Sequence, residues 1–161
     1  MALAMVYLLI HSRRGQSDFA WTDAMILIAI MAIGTVGGAR VLDSLGQGAQ
    51  QAALAENLRL LRTRIELYRM EHGGQPPVLF KGGFPQLTHP TNAQGVPGPA
   101  GKDYPLGPYF LTDLPSNPLT GSREVNPCEE FPPNRATGRG GWLYHQATGR
   151  IAPDVEGYLQ E

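Results

Sequence analysis

The side chains able to do metal or nucleophilic chemistry in this sequence are few and scattered. His72, His89 and His145 fall at a helix end, in a loop and in a strand-like run, and none belongs to an H-x-x-x-H pair. Cys128 is the single cysteine, so there is no C-x-x-C to complete a tetrahedral zinc site and no partner for an intramolecular disulfide. Ser116 and Ser122 lack the strand-turn-helix setting that activates a serine nucleophile, and Glu129-Glu130 reads as a solvated loop. No catalytic residue, metal or cofactor is therefore expected, and the chain is not read as an enzyme. The residue that makes a physical demand is Asp23, a carboxylate inside a long apolar run.

That run extends from Phe19 to Ala39 with Asp23 as its one charge, and as a helix it is roughly 30 Å long, the thickness of a bilayer's hydrocarbon. It is expected to cross a membrane. The other reading, a buried helix of a soluble domain, needs a large core that a Pro/Gly-rich remainder supplies poorly. Arg13 and Arg14 precede the run and Arg40 follows it, which places the N-terminus in the cytoplasm. A carboxylate in such a run costs about 2.5 to 3.5 kcal/mol at the centre and less near an edge. Asp23 either reaches the headgroups and caps the helix or awaits a cation from another copy of the chain. Gly34, Gly37 and Gly38 together cost about 2 to 3 kcal/mol relative to Ala and mark a weak point.

Beyond Arg40 the apolar residues become periodic. Leu54, Leu58, Leu61, Ile65 and Tyr68 are spaced 4, 3, 4, 3, which lays one stripe along a helix, with Glu56, Arg59, Arg62, Arg64, Glu66 and Arg69 facing elsewhere. Gly73-Gly74 and Pro76-Pro77 end it. Phe19 to His72 thus reads as one nearly continuous helix, roughly 80 Å long at 1.5 Å per residue.

The chain has 161 residues with 13 basic and 14 acidic side chains, one domain's worth without the basicity of a nucleic-acid binder. All 14 prolines lie between Pro76 and Pro153, so two different polymers meet near residue 73. Four segments follow: 1–18 ahead of the apolar run, 19–39 the run itself, 40–72 the amphipathic half of the helix, and 73–161 a Pro/Gly-rich head. Aromatic and aliphatic residues recurring between the turns argue for a packed head, with 85–105 its least structured stretch. Trp142 to Ile151 alternates about Ala147-Thr-Gly149 and predicts a β-hairpin with Gly149 at positive φ. Tyr109 reads as a core or docking aromatic.

The segment Phe19-Ala-Trp-Thr-Asp23-Ala-Met-Ile-Leu-Ile-Ala-Ile-Met-Ala-Ile33 resembles the N-terminus of type IV pilins and type II secretion pseudopilins, with Phe19 at the first mature position and Asp23 at the acidic fifth. The likeness continues to Tyr68-Arg-Met-Glu-His72-Gly-Gly-Gln-Pro76. Gly107-Pro-Tyr109-Phe-Leu-Thr-Asp-Leu114-Pro-Ser-Asn117-Pro118 and Gly140-Gly-Trp142-Leu-Tyr144 are similar to heads of major pseudopilins. The resemblance implies an α+β, pilin-like fold, in which a long N-terminal helix with a membrane-spanning first half and an amphipathic second half packs on a small antiparallel sheet. It implies that a prepilin peptidase cuts between Asp18 and Phe19, where Asp18 stands in place of the usual Gly, and that Phe19 is then methylated.

Asp23 would neutralise the terminal amine of a neighbouring copy. The expected function is that of a structural subunit of a secretion pseudopilus, with a minor type IV pilin or a single-span membrane-tethered binding module as alternatives. The expected partners are further copies in a helical filament, other pseudopilins, the inner-membrane assembly platform and the membrane, with the head in the periplasm. Some such heads bind calcium, for which Asp113, Asn117, Glu129 and Asp154 offer oxygens, but their spacing specifies no site.

Overall fold

A computed structural model describes residues 21–160 along the backbone, and side chains from Gly46 to Gln160. The chain divides into two units, Met1–Ser44 and Leu45–Glu161. Helix α1 is Trp21–Glu71. The described side chains of α1 occupy about 26 residues, 46–71, and there the 4, 3, 4, 3 stripe is closed off from solvent: Leu54, Leu58, Leu61, Ile65 and Tyr68 are each at most 2% exposed. On the other sides of the helix Glu56 pairs with Arg59 and Glu66 with Arg69. The helix ends in a Schellman arrangement, with Gly73 and Gly74 at φ +62 and +85 and the Gly74 N–H on the Arg69 carbonyl at 2.7 Å.

The helix stripe meets a short α2, Pro85–Thr88, and a sheet of β1 Val125–Pro127, β2 Trp142–His145 and β3 Arg150–Pro153 in the order β1-β2-β3. Alternation along β2 sends Trp142 and Tyr144 into the core with Leu61, Ile65 and Phe84. Phe84 and Tyr144 meet edge to face at 4.6 Å between centroids. Gly149, at φ +71, turns the hairpin as the sequence predicts.

Two parts of the expected fold are corrected. The sheet is mixed, not antiparallel: β2 and β3 pair antiparallel, but β1 runs parallel to β2 with Val125 opposite Trp142. A parallel neighbour needs a crossover long enough to bring the chain back to the same end, and residues 128–141 supply it. Pro127 in β1 and Pro153 in β3 lack N–H donors, which discourages further strands. The expected membrane-spanning half is also set aside, because among the described residues no helix is long and apolar enough to cross a membrane. The described part of α1 is an amphipathic helix seated on the head. Segment 19–39 lies outside the residues whose side chains are described.

Residues 85–105, expected to be least structured, hold α2 and then a compact loop, 89–105, without strands. Thr91 and Leu106 exchange backbone hydrogen bonds at 2.8 and 3.1 Å. Asn92 Oδ1 accepts from the N–H groups of Gln94 and Val96, which closes an Asx turn. Gly95, at φ +76, lies so close to Tyr68 that a Cβ there would come within 2.3 Å of the Tyr68 hydroxyl oxygen.

Candidate functional site

The histidines singled out from sequence lie apart, each engaged by a local oxygen. His72 is buried at the end of α1, its ring stacked on Tyr68 at 3.9 Å, with Nδ1 2.8 Å from the Tyr68 carbonyl and Nε2 3.0 Å from Thr91 Oγ1. Nε2 also faces the Asn92 carbonyl at 3.1 Å, so carbonyl oxygens stand against both ring nitrogens. His89 Nδ1 lies beside Thr88 Oγ1 and the Pro85 carbonyl, and His145 Nδ1 is 2.7 Å from Thr148 Oγ1 in the hairpin turn. A hydroxyl against an imidazole is the spacing of a nucleophile and its base. Thr91, however, is wholly buried, and Thr148 lies on an exposed turn.

Tyr109 closes the joint at the helix end. Its ring packs edge-on against Tyr68 at 5.5 Å, and its hydroxyl donates to Glu71 Oε2. Burial and then the neighbouring Glu71 carboxylate push the Tyr109 phenol well above its usual range. The backbone N–H groups of Tyr109 and Phe110 both donate to the Leu87 carbonyl, so α2 holds this segment in place. Further on, Asn57 donates to the Ser116 carbonyl and Trp142 Nε1 to the Pro115 carbonyl. The segment from Tyr109 to Ser116 therefore runs back along α1 as a strap. Tyr109 is both a core residue and a docking residue within its own chain.

The oxygens considered for calcium are not brought together. Asp113 is solvent-exposed, 3.9 Å from Arg123 Nη1. Asn117 is fully buried and shapes a turn, donating to the Gly141 carbonyl and accepting from the Leu119 N–H. Asp154 is 2% exposed; its carboxylate accepts from Asn126 Nδ2 at 3.1 Å and from both the N–H and the hydroxyl of Thr137. Among the described residues no group of three or more His, Cys, Asp or Glu side chains is placed to hold a metal ion.

Sequence reasoning missed the role of Asp154. It pins the 128–141 crossover over the outer face of the sheet, where Asn126, Leu143 and Ala152 are buried. Between the pinned crossover and β1 opens a groove of about 1070 Å³, floored by Asn126 and Leu143 and rimmed by Glu129, Glu130, Arg135 and Arg139. Cys128 lines it, half-buried, and burial raises its thiol pKa, which slows rather than promotes nucleophilic attack.

Asp18 and Phe19, the expected processing and methylation positions, lie outside the described residues. Asp23, the expected assembly residue, falls on α1 but outside the residues whose side chains are described. No family model, no characterised protein and no solved structure matches the chain.

Proposed function

We propose that this chain is a structural, non-enzymatic subunit of a bacterial envelope filament of the type II secretion pseudopilus kind. Copies assemble by packing their N-terminal helices side by side while the heads form the outer surface. The supporting observation lies on α1 itself. From Leu54 onward its apolar stripe is consumed by its own head, but residues 46–53 are exposed on every side. A Cβ at Gly46 or Gly48 would meet nothing within 4 Å. Each of these glycines costs about 1 kcal/mol of helix propensity relative to Ala, and the head supports this exposed stretch through a hydrogen bond from Gln51 Nε2 to the Tyr158 hydroxyl at 3.1 Å, little for a helix in water. Neighbouring helices of the same kind supply the remaining support in a filament.

In this reading Asp23 pairs with the terminal amine of Phe19 on an adjacent copy after the prepilin peptidase has cut behind Asp18. An unpaired buried carboxylate is strongly disfavoured relative to a paired one, so the pairing sets axial register. The head faces the periplasm, and the partners are further copies, other pseudopilins and the inner-membrane assembly platform. The test is to recover polymer from cells making the full chain and read its N-terminus by mass spectrometry. The expected species begins with methylated Phe19, and Asp23→Ala abolishes the polymer. An intact Met1 in the polymer, or undiminished polymer from Asp23→Ala, would overturn the reading.

A further inference from the structure

Four side chains at the end of α1 form one hydrogen-bonded chain, from the buried ring of His72 through Thr91 and Tyr109 to Glu71 at the surface. Its direction is set by the end that cannot donate. A carboxylate only accepts, so the Tyr109 hydroxyl gives its proton to Glu71 Oε2. The Tyr109 oxygen is then left to accept from the Thr91 hydroxyl. Burial and Glu71 raise the Tyr109 phenol's pKa, and Thr91 opposes the shift by hydrogen bonding, as a donor to the phenol oxygen does. With its proton engaged there, Thr91 Oγ1 can only accept from His72 Nε2, 3.0 Å away.

Nε2 therefore carries a hydrogen, as the Asn92 carbonyl at 3.1 Å also requires. Nδ1 needs one as well, because it stands 2.8 Å from the Tyr68 carbonyl. A ring with a hydrogen on both nitrogens is an imidazolium. The setting suits a cation. His72 follows directly on the last turn of α1, where the helix dipole favours positive charge, and its ring stacks on the face of Tyr68. The two hydroxyls connect this charge to the opposite one on Glu71. The titratable groups packed against the ring are Tyr68 from its own helix and Tyr109 from the strap. The 89–105 loop brings up Thr91 and Asn92, which do not ionise, while its own His89 is exposed and engaged with Thr88 and Pro85.

We infer that His72, doubly protonated, is a clasp that holds the 89–105 loop on the end of α1 at acid pH and releases it as the pH rises. The clasp stands apart from the filament reading and needs no second copy. Removing either ring proton sets a nitrogen lone pair against a carbonyl oxygen. An imidazole in water gives up its second proton near pH 6.5. Above about that value the opened loop binds fewer protons than the closed one, so closure is favoured less and less as pH climbs. The buried phenols respond only beyond about pH 10, which keeps the two effects apart.

The test uses the full chain in detergent micelles, isotope-labelled at the histidine ring nitrogens. Nuclear magnetic resonance at about pH 5.5, below the range of a free imidazole, should show two ring N–H groups on His72. Exchange of the Thr91 and Leu106 amides, each bonded to the other's carbonyl, reads the loop. Corrected for intrinsic rates, their protection should fall about tenfold or more between about pH 5.5 and about pH 8, the loss of one hydrogen bond to a charged group. His72→Gln should abolish that response and His89→Gln should keep it. Tyr109→Phe retains the ring but cuts the link to Glu71, and should shrink the response. A single ring N–H on His72 at the acid pH, or wild-type loop protection that does not change with pH, would overturn the clasp without any variant having to fold. An undiminished response in folded His72→Gln would overturn it too.

Discussion

The Tyr109 hydroxyl donates a hydrogen bond to Glu71 Oε2, joining the last residue of α1 to the strap that runs back along it. The same ring packs against Tyr68 of the buried stripe, so one side chain fixes both the end of the helix and the start of the strap. A hydrogen bond to a charged group contributes about 1.5 to 3 kcal/mol. Tyr109→Phe should lower urea-unfolding stability by that order while leaving the ring contact in place. Tyr109→Phe with Glu71→Ala should cost less than the two singles added together, since both lose the same bond. Strict additivity would show that the bond contributes nothing.

Where the information for an element is local, it can be read from the sequence. Leu54, Leu58, Leu61, Ile65 and Tyr68 announce their shared burial by spacing alone, and Gly149 announces the hairpin because the turn and both strands are contiguous. Strand β1 cannot be read: Val125-Asn-Pro127 is three residues long, contains a proline, and is a strand only because β2 lies beside it. The groove is equally hidden, because the Asp154 carboxylate that pins it finds Asn126 and Thr137 at sequence distances of 28 and 17. The antiparallel expectation fails for the same reason, since a crossover of turns and loop carries no periodicity. The stretch 85–105 is misjudged because glycine and proline there specify definite turns, which composition alone cannot distinguish from disorder.

Alkaline pH should unfold the head. Burial raises the phenol pKa values of Tyr68, Tyr109 and Tyr144, with Glu71 adding to the shift at Tyr109. In the unfolded chain these phenols lose their protons near pH 10. Above that pH the unfolded state binds fewer protons than the native one, so stability is full below about pH 10 and falls as pH rises beyond it. Phenolate absorbance followed alongside circular dichroism should show these tyrosines ionising together with unfolding. Tyr144→Phe should make the decline shallower by one proton, although it costs the hydrogen bond to the Pro77 carbonyl.

Two glycines separate conformational strain from steric exclusion. Gly73 has φ +62 and a Cβ there would meet nothing within 4 Å, so Gly73→Ala meets only the cost of a left-handed backbone, about 1 kcal/mol. Gly141 has φ +79, and a Cβ there would lie 2.1 Å from the Glu124 carbonyl oxygen, where backbone must move. Gly141→Ala should therefore cost more than about 4 kcal/mol, if it folds at all. Thermal melting of the two variants side by side checks the ordering; equal losses would contradict the close approach of residue 141 to the Glu124 backbone.

Asp154 and Asp113 predict opposite outcomes for the same chemical change. Asp154 is buried and accepts three hydrogen bonds, so Asp154→Ala strands the Thr137 N–H and leaves Asn126 Nδ2 with the Gly140 carbonyl alone. The loss should be about 3 kcal/mol or more, and it should be felt first in the crossover, which Asp154 ties to the end of β3 through Thr137. Limited proteolysis should then cut between Pro133 and Arg139 in the variant while the wild type resists. Asp113 is 85% exposed, and its ion pair with Arg123 spans 3.9 Å. Such a pair contributes at most a few tenths of a kcal/mol, so Asp113→Ala should leave both melting and proteolysis unchanged. If Asp154→Ala left the crossover resistant to protease, the carboxylate would not be what holds the groove in shape.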